Sequence, residues 1–359
     1  MRAFPATPYT VKVLGRAING NGILWLTHSG TGIQFNTVAK AVAITLVGDE
    51  TSVQQFSQDT ESRARYAVYL DGKLIASDIM KTREQRIIVY NDKTQIREGK
   101  ISIIKLSEAR KSLMGIKNII TDDGGFVVPE TRRDMQIEFI GDSITCGYGV
   151  ESKTQNETFS TATENITKSF AYITAENFNA DATFVCYSSY GVLSGWNEEG
   201  SKDEEHTLPK IYEYTAVCDN SKLLKEHKWK FTSQRPSIVV INLGTNDEAF
   251  VKKEPANLED FKYAYIEFIR SLRKKYSDAY IVCTLGMMKE GDYLFTEVEK
   301  AVQFYVQDTK DRKVYSFHFT PATEEEGSAA GGHPSIATHA RCARELTTFI
   351  KKSVLKIEQ

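Results

Sequence analysis

Residues 135–143 read MQIEFIGDS, an apolar run that ends in the turn Gly141-Asp142-Ser143. A short apolar run bounded by a turn is typical of a strand that is buried on both faces of a parallel sheet. Four further runs downstream have the same character. The sequence therefore predicts strands at residues 135–140, 182–187, 237–243, 279–285 and 314–319.

Apolar patterns with a helical period lie between these strands. They cover residues 169–178, 258–276, 294–308 and 336–352. Strands that alternate with helices predict a parallel sheet covered by helices on both faces. Ligands bind such sheets at the carboxyl ends of the strands. Because Ser143, Gly191 and Asn246 all follow predicted strands, we expect them to meet at that edge.

The first part of the chain reads instead as short strands separated by clusters of Gly, Asn, Asp and Ser. Asp71-Gly72 lies between two apolar runs and predicts a two-residue hairpin, because a type I′ turn needs positive φ at both positions. Many short strands with almost no helical periodicity predict an all-β sandwich of jelly-roll-like type. The pattern changes near residues 121–133, which predicts a sandwich domain at 1–132 and a second domain at 133–359.

The composition excludes several classes of function. The 359 residues include 45 basic and 47 acidic side chains, and a net charge of -2 offers no basic field for nucleic acid or an anionic membrane. The N-terminus lacks a signal-peptide apolar region, and no stretch of about 18 apolar residues occurs. We expect a cytoplasmic protein, or a secreted one if a leader has been removed.

The cysteines and short motifs imply neither a metal nor a cofactor. The five cysteines are odd in number and show no C-x-x-C spacing, which fits free thiols in a reducing compartment. The sequence has no P-loop and no G-x-G-x-x-G element. Cys146, three residues after Ser143, is interpreted as a small buried apolar side chain.

Ser143, His333 and Asn246 are the side chains that acyl transfer needs: a nucleophile, a base and an amide donor for an oxyanion. Each also has an ordinary structural interpretation. Ser143 could cap a helix, His333 could lie exposed in its loop, and Asn246 could close a turn. The other five histidines lack a comparable setting, which favours His333-Pro334 as the functional one.

Four short blocks follow one another along the chain: Gly141-Asp142-Ser143-Ile144-Thr145, Gly191, Gly244-Thr245-Asn246-Asp247 and His333-Pro334-Ser335. This order resembles that of the SGNH, or GDSL-type, hydrolases. The resemblance implies an α/β/α three-layer domain with a flavodoxin-like parallel sheet. With its β-rich first part, the chain is also similar to the two-domain acetyl esterases of carbohydrate esterase family 2.

The resemblance implies a role for each matching residue. Ser143 attacks an ester carbonyl, and His333 accepts the serine proton and later returns it to the leaving alcohol. The backbone N–H groups of Ser143 and Gly191 and the side-chain amide of Asn246 form the oxyanion hole.

One position departs from the family pattern. The Asp of a D-x-x-H-P arrangement is replaced by Ala330. Loss of that partner's function can cost about 10⁴-fold in turnover. Three explanations stay open: a backbone carbonyl of residues 330–332 replaces the carboxylate, another carboxylate such as Glu326 folds in, or the enzyme is weak. We favour the carbonyl, which gives a Ser-His dyad.

Four more residues stand in or near the same blocks. Asp142 and Asp247 are expected to be structural, with Asp142 bracing its turn through backbone N–H groups. Trp196 could present a flat apolar surface to a sugar ring, and Tyr190 is a second candidate. Core packing is the more general explanation for any single aromatic residue.

The resemblance therefore implies a serine esterase that removes acetyl groups from plant polysaccharide or oligosaccharide, such as acetylated xylan. The residues themselves argue only for hydrolysis of an acyl ester. One alternative is a lipase, thioesterase or deacylase of another acyl group. Another is a carbohydrate-binding protein whose hydrolase domain has decayed. The oligomeric state stays open, and a homo-oligomer is possible.

Overall fold

The computed structural model describes residues 1–52, 62–92, 94–219 and 227–357. The chain forms two compact units. The first contains Met1–Arg133, Ser160–Glu164 and Tyr214–His227, and the second contains Asp134–Phe159, Asn165–Glu213 and Lys228–Gln359. The predicted domains at 1–132 and 133–359 did not assign the two short segments to the first unit, because nothing in their local pattern marks them.

The described strands of the first unit follow one another along the chain. They are β1 (Arg2–Pro5), β2 (Lys12–Leu14), β3 (Ala17–Gly20), β4 (Ile23–Leu26), β5 (Gly32–Ala39), β6 (Ala41–Gly48), β7 (Arg65–Leu70), β8 (Lys73–Ile79), β9 (Glu84–Asn91), β10 (Arg97–Lys105), β11 (Met114–Thr121) and β12 (Phe126–Pro129).

These strands form two antiparallel sheets. Their orders are β3-β4-β11-β6-β9 and β12-β5-β10-β7-β8, with β1 beside β11 and β2 beside β5. Alternate side chains enter one shared core, in which Ile33 and Phe35 of β5 and Ile44 and Leu46 of β6 are fully buried. The predicted all-β sandwich is confirmed, and its jelly-roll-like type stays a prediction.

The predicted hairpin at Asp71-Gly72 is confirmed as well. Strand β7 pairs antiparallel with β8 across this turn. The φ angles are 52° at Asp71 and 77° at Gly72, as a type I′ turn requires.

Buried polar side chains explain why two distant segments belong to the sandwich unit. Nη1 of Arg16 donates to the carbonyl oxygen of Tyr214 at 2.9 Å. Nε2 of His28 lies 2.9 Å from the carbonyl oxygen of Thr215. The carboxylate of Glu164 accepts the backbone N–H of Glu108, also at 2.9 Å. These long-range bonds have no local sequence signature.

The second unit alternates strands with helices. Its strands are β13 (Met135–Gly141), β14 (Ala180–Cys186), β15 (Ile238–Asn242), β16 (Tyr280–Leu285) and β17 (Val314–His318). Its α-helices are α1 (Ser143–Cys146), α2 (Phe170–Asn177), α3 (Leu208–Ile211), α4 (Glu248–Val251), α5 (Ala256–Lys275), α6 (Phe295–Thr309) and α7 (Ile336–Phe349).

All five of these strands run parallel, in the order β14-β13-β15-β16-β17. Every residue of β15 is buried, which is why its sequence is apolar without alternation. Helix α5 buries Phe261, Tyr265, Phe268 and Leu272, a stripe at helical spacing. Because α2 packs against α7 and α5 against α6, the predicted three-layer α/β/α domain is confirmed.

The topology of this sheet directs loops to one edge. From β13, an inner strand of the sheet, the chain passes to β14 on one side and then returns to β15 on the other. Such a switch point opens a crevice at the carboxyl ends of the strands. Ser143, Gly191 and Asn246 all lie just beyond those ends.

The described residues lack both a membrane-spanning helix and a cluster of metal-binding side chains. None of the helices there is both long and apolar enough to cross a membrane. Across the same residues, no group of three or more His, Cys, Asp or Glu side chains is placed to hold a metal ion.

Candidate active site

The turn after β13 places Ser143 at the start of α1. Asp142 is the N-cap, and its carboxylate accepts the backbone N–H of Ile144 at 3.0 Å. A Cβ on Gly141 would lie 2.0 Å from Oγ1 of Thr145, so only glycine allows this tight turn. As the first helical residue, Ser143 has a backbone N–H without an acceptor inside the helix. Ser143 is 7% exposed, which leaves its hydroxyl in a sheltered position.

The imidazole of His333 lies against this hydroxyl. Its Nε2 is 2.9 Å from Oγ of Ser143, within hydrogen-bonding distance. Its Nδ1 is 3.0 Å from the carbonyl oxygen of Ala330, an atom that can only accept. The hydrogen of the neutral ring is therefore on Nδ1, and Nε2 is left to accept the serine hydrogen. A nucleophile and a general base are arranged in this way.

The loop before His333 directs the Ala330 carbonyl at the ring. Gly331 and the glycine after it have φ angles of 63° and 77°, which glycine adopts without strain. The N–H of Ala330 donates to Oγ of Ser152 at 2.7 Å. The N–H of Gly331 donates to the carbonyl oxygen of Gln155 at 2.9 Å. The peptide group that accepts from the imidazole is thus held, and polarised, at its other end.

Glu326, the other candidate partner for His333, is engaged elsewhere. Its two carboxylate oxygens accept from the Arg341 guanidinium at 2.6 and 2.8 Å, and one of them also accepts from Thr338. The hydrogen bonds from Arg341 lower the pKa of Glu326 to about 2. In this structure the group on Nδ1 of His333 is therefore a backbone carbonyl and not the Glu326 carboxylate.

Burial dominates the electrostatics of the imidazole. It lowers the pKa of His333 to about 4, because the protonated ring loses hydration. The carbonyls of Ala330 and Gly331 and the charge of Glu290 act in the opposite direction, since each favours the protonated ring. At neutral pH the ring is uncharged, which is the form that a general base requires.

The two remaining oxyanion candidates differ in how they are paired. Nδ2 of Asn246 donates to the carbonyl oxygen of Tyr190 at 3.0 Å and makes a longer contact of 3.4 Å with Oδ2 of Asp142. The N–H of Gly191 donates to the carbonyl oxygen of His206 at 3.2 Å. In this structure the N–H predicted as an oxyanion donor is thus engaged by the 206–207 segment, and its role as a donor stays a prediction.

Asp247 fixes the loop that follows β14. Its carboxylate accepts the backbone N–H groups of Val192, Leu193 and Ser194 at 2.7 to 3.1 Å. Burial raises the pKa of Asp247 to about 6 and that of Asp142 to about 7. Both carboxyl groups bond to backbone N–H groups, in agreement with the structural roles expected for them.

The two aromatic candidates for sugar contact have different environments. Tyr190 is only 3% exposed, and its ring packs on the rings of Tyr187 and His206 at centroid distances of 5.1 and 5.2 Å. The prediction that Tyr190 presents a surface to sugar is therefore corrected, because its ring is used in packing. Trp196, which follows in the same loop, is 50% exposed and leaves a broad apolar surface uncovered.

Sequence reasoning missed the aromatic residues beside the imidazole. The rings of Tyr148 and His333 are stacked, with centroids 4.3 Å apart, and Phe159 stacks on Tyr148 at 3.9 Å. Tyr148 lies only five residues after Ser143. No periodic pattern links Tyr148 to a histidine 185 positions later. The only sequence feature that could have pointed to Tyr148 is its position directly after Gly147, close to Ser143.

The geometry and the family model agree on a class. Residues 139–341, more than half of the chain, match the GDSL-like Lipase/Acylhydrolase family. The chain belongs to this family, and the sequence resemblance to GDSL-type hydrolases is confirmed.

Three individual proteins resemble this chain and are named as esterases. The cellulase/esterase CelE of Acetivibrio thermocellus is 35% identical over 224 residues, which are 62% of this chain and only 26% of CelE. An acetylxylan esterase / glucomannan deacetylase of Cellvibrio japonicus is 23% identical over 345 residues, 95% of this chain and 88% of that protein. A family two carbohydrate esterase from Clostridium thermocellum, solved in complex with cellohexaose, is 25% identical with a TM-score of 0.83, covering 97% of this chain and 100% of that one.

Proposed function

We propose that the chain is a serine esterase that hydrolyses acetyl esters on plant polysaccharides or oligosaccharides, with acetylated xylan as the first substrate to test. The observation that carries the proposal is the pairing of Ser143 with His333 at 2.9 Å, with the Ala330 carbonyl on the opposite ring nitrogen. The substrate class rests on the relatives, which are named as carbohydrate esterases and an acetylxylan esterase.

The reaction follows from this pair. Oγ of Ser143 attacks the acetyl carbonyl while its proton moves to Nε2 of His333. The tetrahedral intermediate collapses, the ester C–O bond breaks, and the proton passes from Nε2 to the sugar hydroxyl that leaves. A water molecule then attacks the acetyl-serine, again giving its proton to Nε2, and acetate departs. The proposed cycle uses side chains and water alone.

Two donors are proposed to stabilise the oxyanion. The backbone N–H of Ser143 lies at the start of α1, and the amide of Asn246 has one hydrogen with only a long contact. The N–H of Gly191 becomes a third donor if its 3.2 Å bond to His206 opens when the ester binds. Gly191 is otherwise needed because a Cβ there would lie 2.1 Å from the carbonyl oxygen of Ser194.

Trp196 is proposed to contact the sugar. Half of this residue is exposed, and its backbone N–H is bonded at 2.9 Å to the carbonyl oxygen of Ser189 in the same loop. Apolar faces of sugar rings pack on such flat aromatic surfaces. The backbone N–H groups of Leu193 and Ser194, in the same loop, donate to Asp247 just after β15. These hydrogen bonds hold the loop that carries the indole.

The intact pairing of nucleophile and base favours an enzyme over a binding protein with a decayed hydrolase domain. Decay would not retain a hydroxyl, a buried imidazole and a carbonyl acceptor in hydrogen-bonding geometry. Residue 330 has no carboxylate, but the turn at Ala330–Gly332 supplies a backbone carbonyl that accepts from the imidazole instead.

Acetate release from acetylated xylan and from acetylated monosaccharides tests the proposal. Ser143→Ala should abolish release, and Ser277→Ala should leave it unchanged, because Ser277 is exposed before β16 at the opposite edge of the sheet. Acetate release that survives Ser143→Ala would exclude Ser143 as nucleophile. A wild type that releases no acetate but binds xylan would favour the binding protein, and a preference for long-chain nitrophenyl esters over acetyl esters would favour a lipase or thioesterase.

A further inference from the structure

An aromatic stack backs the imidazole of His333. The Tyr148 ring is stacked on it at a centroid distance of 4.3 Å and an interplanar angle of 28°. Phe159 is stacked on Tyr148 at 3.9 Å and 13°. Three rings therefore lie one above another, with the general base at one end.

The backbone ties this stack to the nucleophile. The N–H of Tyr148 donates to the carbonyl oxygen of Ser143 at 3.1 Å. Gly147, just before it, has a φ of 75°, and a Cβ there would lie 2.6 Å from the carbonyl oxygen of Asn165. The turn that follows Ser143 thus sets where the ring of Tyr148 lies.

A base without a carboxylate partner lacks one of two contributions. In a Ser-His-Asp triad the carboxylate both orients the imidazole and stabilises the imidazolium that forms during reaction. The Ala330 carbonyl fulfils the first role through Nδ1 at 3.0 Å, but it carries no charge to balance the cation. A cation that lies on an aromatic face is attracted by the electron-rich ring. The face of the Tyr148 ring lies against the imidazole of His333.

We propose that Tyr148 is a positioning residue that replaces this second contribution: its ring holds the plane of the His333 imidazole and stabilises the imidazolium formed when Ser143 gives up its proton. The inference rests on the esterase function proposed above. The proton moves from Oγ to Nε2 as the Oγ–carbon bond forms, and it moves on to the leaving alcohol as the ester C–O bond breaks. Tyr148 exchanges no proton and forms no covalent bond in these steps.

Two substitutions separate the ring from its hydroxyl. Tyr148→Phe keeps the aromatic face, so kcat should stay within about threefold of wild type. Tyr148→Leu keeps an apolar side chain but removes the face, and kcat should fall roughly 3- to 30-fold with little change in KM. Phe295→Leu is the matched control, because Phe295 stacks on His318 at the same 4.3 Å but outside the proposed machinery. It should leave kcat unchanged.

The acidic limb of the kcat–pH profile distinguishes cation stabilisation from simple packing. Loss of a group that favours the protonated ring should move this limb to lower pH in Tyr148→Leu, by about half to one and a half pH units. If Tyr148 only fills space, its loss admits water, the ring is better hydrated, and the limb moves to higher pH. A shift to higher pH, an unchanged kcat in Tyr148→Leu, or an equal loss in Tyr148→Phe would each overturn the proposal.

An NMR titration of the His333 ring decides the same question without turnover. Wild type and Tyr148→Leu are titrated side by side, with circular dichroism to show that both are folded. A lower pKa of His333 in the variant supports the stacking role, and an equal or higher one contradicts it. A wild type that releases no acetate would refute the esterase function alone, because this titration needs no substrate.

Discussion

The pH dependence of turnover is set by how deeply the base is buried. Burial lowers the pKa of His333 to about 4, and only the neutral ring can accept the proton of Ser143. With that pKa roughly nine tenths of the imidazole is neutral at pH 5, whereas at the ordinary value of 6.5 only about 3% would be. Activity at pH 5 should therefore stay within a factor of two of its value at pH 7. An exposed histidine base would lose roughly 25-fold over the same range.

Acetate release at saturating substrate, measured from pH 3.5 to 8, gives the acidic limb directly. Circular dichroism over the same range must show a folded protein, because Asp142 and Asp247 have pKa values raised to about 7 and 6 and titrate in this window. Glu290→Gln is an internal check. The Glu290 charge raises the pKa of His333, so removing it should move the limb slightly to lower pH.

A limb near pH 6.5 in the folded wild type would refute the reasoning. It would mean that the imidazole is hydrated in the working protein, and that burial does not control its protonation. A limb that moves to higher pH in Glu290→Gln would contradict the sign of the charge effect.

Two further predictions concern the oxyanion donor and the glycine turn. Asn246→Ala removes an amide donor and should lower kcat about 10²- to 10³-fold with little change in KM, as measured by acetate release; a loss below tenfold would remove Asn246 from the oxyanion site. Gly331→Ala forces a side chain to a φ of 63°, which costs about 1–2 kcal/mol of stability and should also lower kcat as the Ala330 carbonyl shifts. Gly22→Ala, at a φ of 74° with nothing within 4 Å of the added Cβ, should show a similar fall in urea midpoint with unchanged kcat; equal kcat in both variants would contradict the role of the turn.

Much of the catalytic unit was predictable because its signals are local. Parallel strands buried on both faces leave continuous apolar runs, and β13, β16 and β17 begin or end within one residue of the predicted bounds. The blocks after β13 and β15 place Ser143 and Asn246 at one edge, since the carboxyl ends of parallel strands share that edge.

The rest depends on contacts between residues far apart in sequence. The sequence left three explanations open for the missing carboxylate partner of His333, one of which was the Ala330 carbonyl. Two glycines with positive φ, and hydrogen bonds from this loop to Ser152 and Gln155, direct that carbonyl at the ring. Tyr148 and His333 are 185 positions apart, and the bridge between Gly191 and Thr207 also joins segments that no local pattern links. The buried bonds that join Tyr214 and Thr215 to the sandwich unit have no local pattern either.

Covalent labelling tests the central claim most directly, because it asks whether the Ser143 hydroxyl is activated by His333. The wild type and a folded His333→Ala variant are incubated with a fluorophosphonate ester, and the modified peptide is identified by mass spectrometry. The account predicts stoichiometric labelling of Ser143 in the wild type and labelling slower by orders of magnitude in His333→Ala. A folded wild type that leaves Ser143 unlabelled, or labelling at the same rate in the variant, would contradict it.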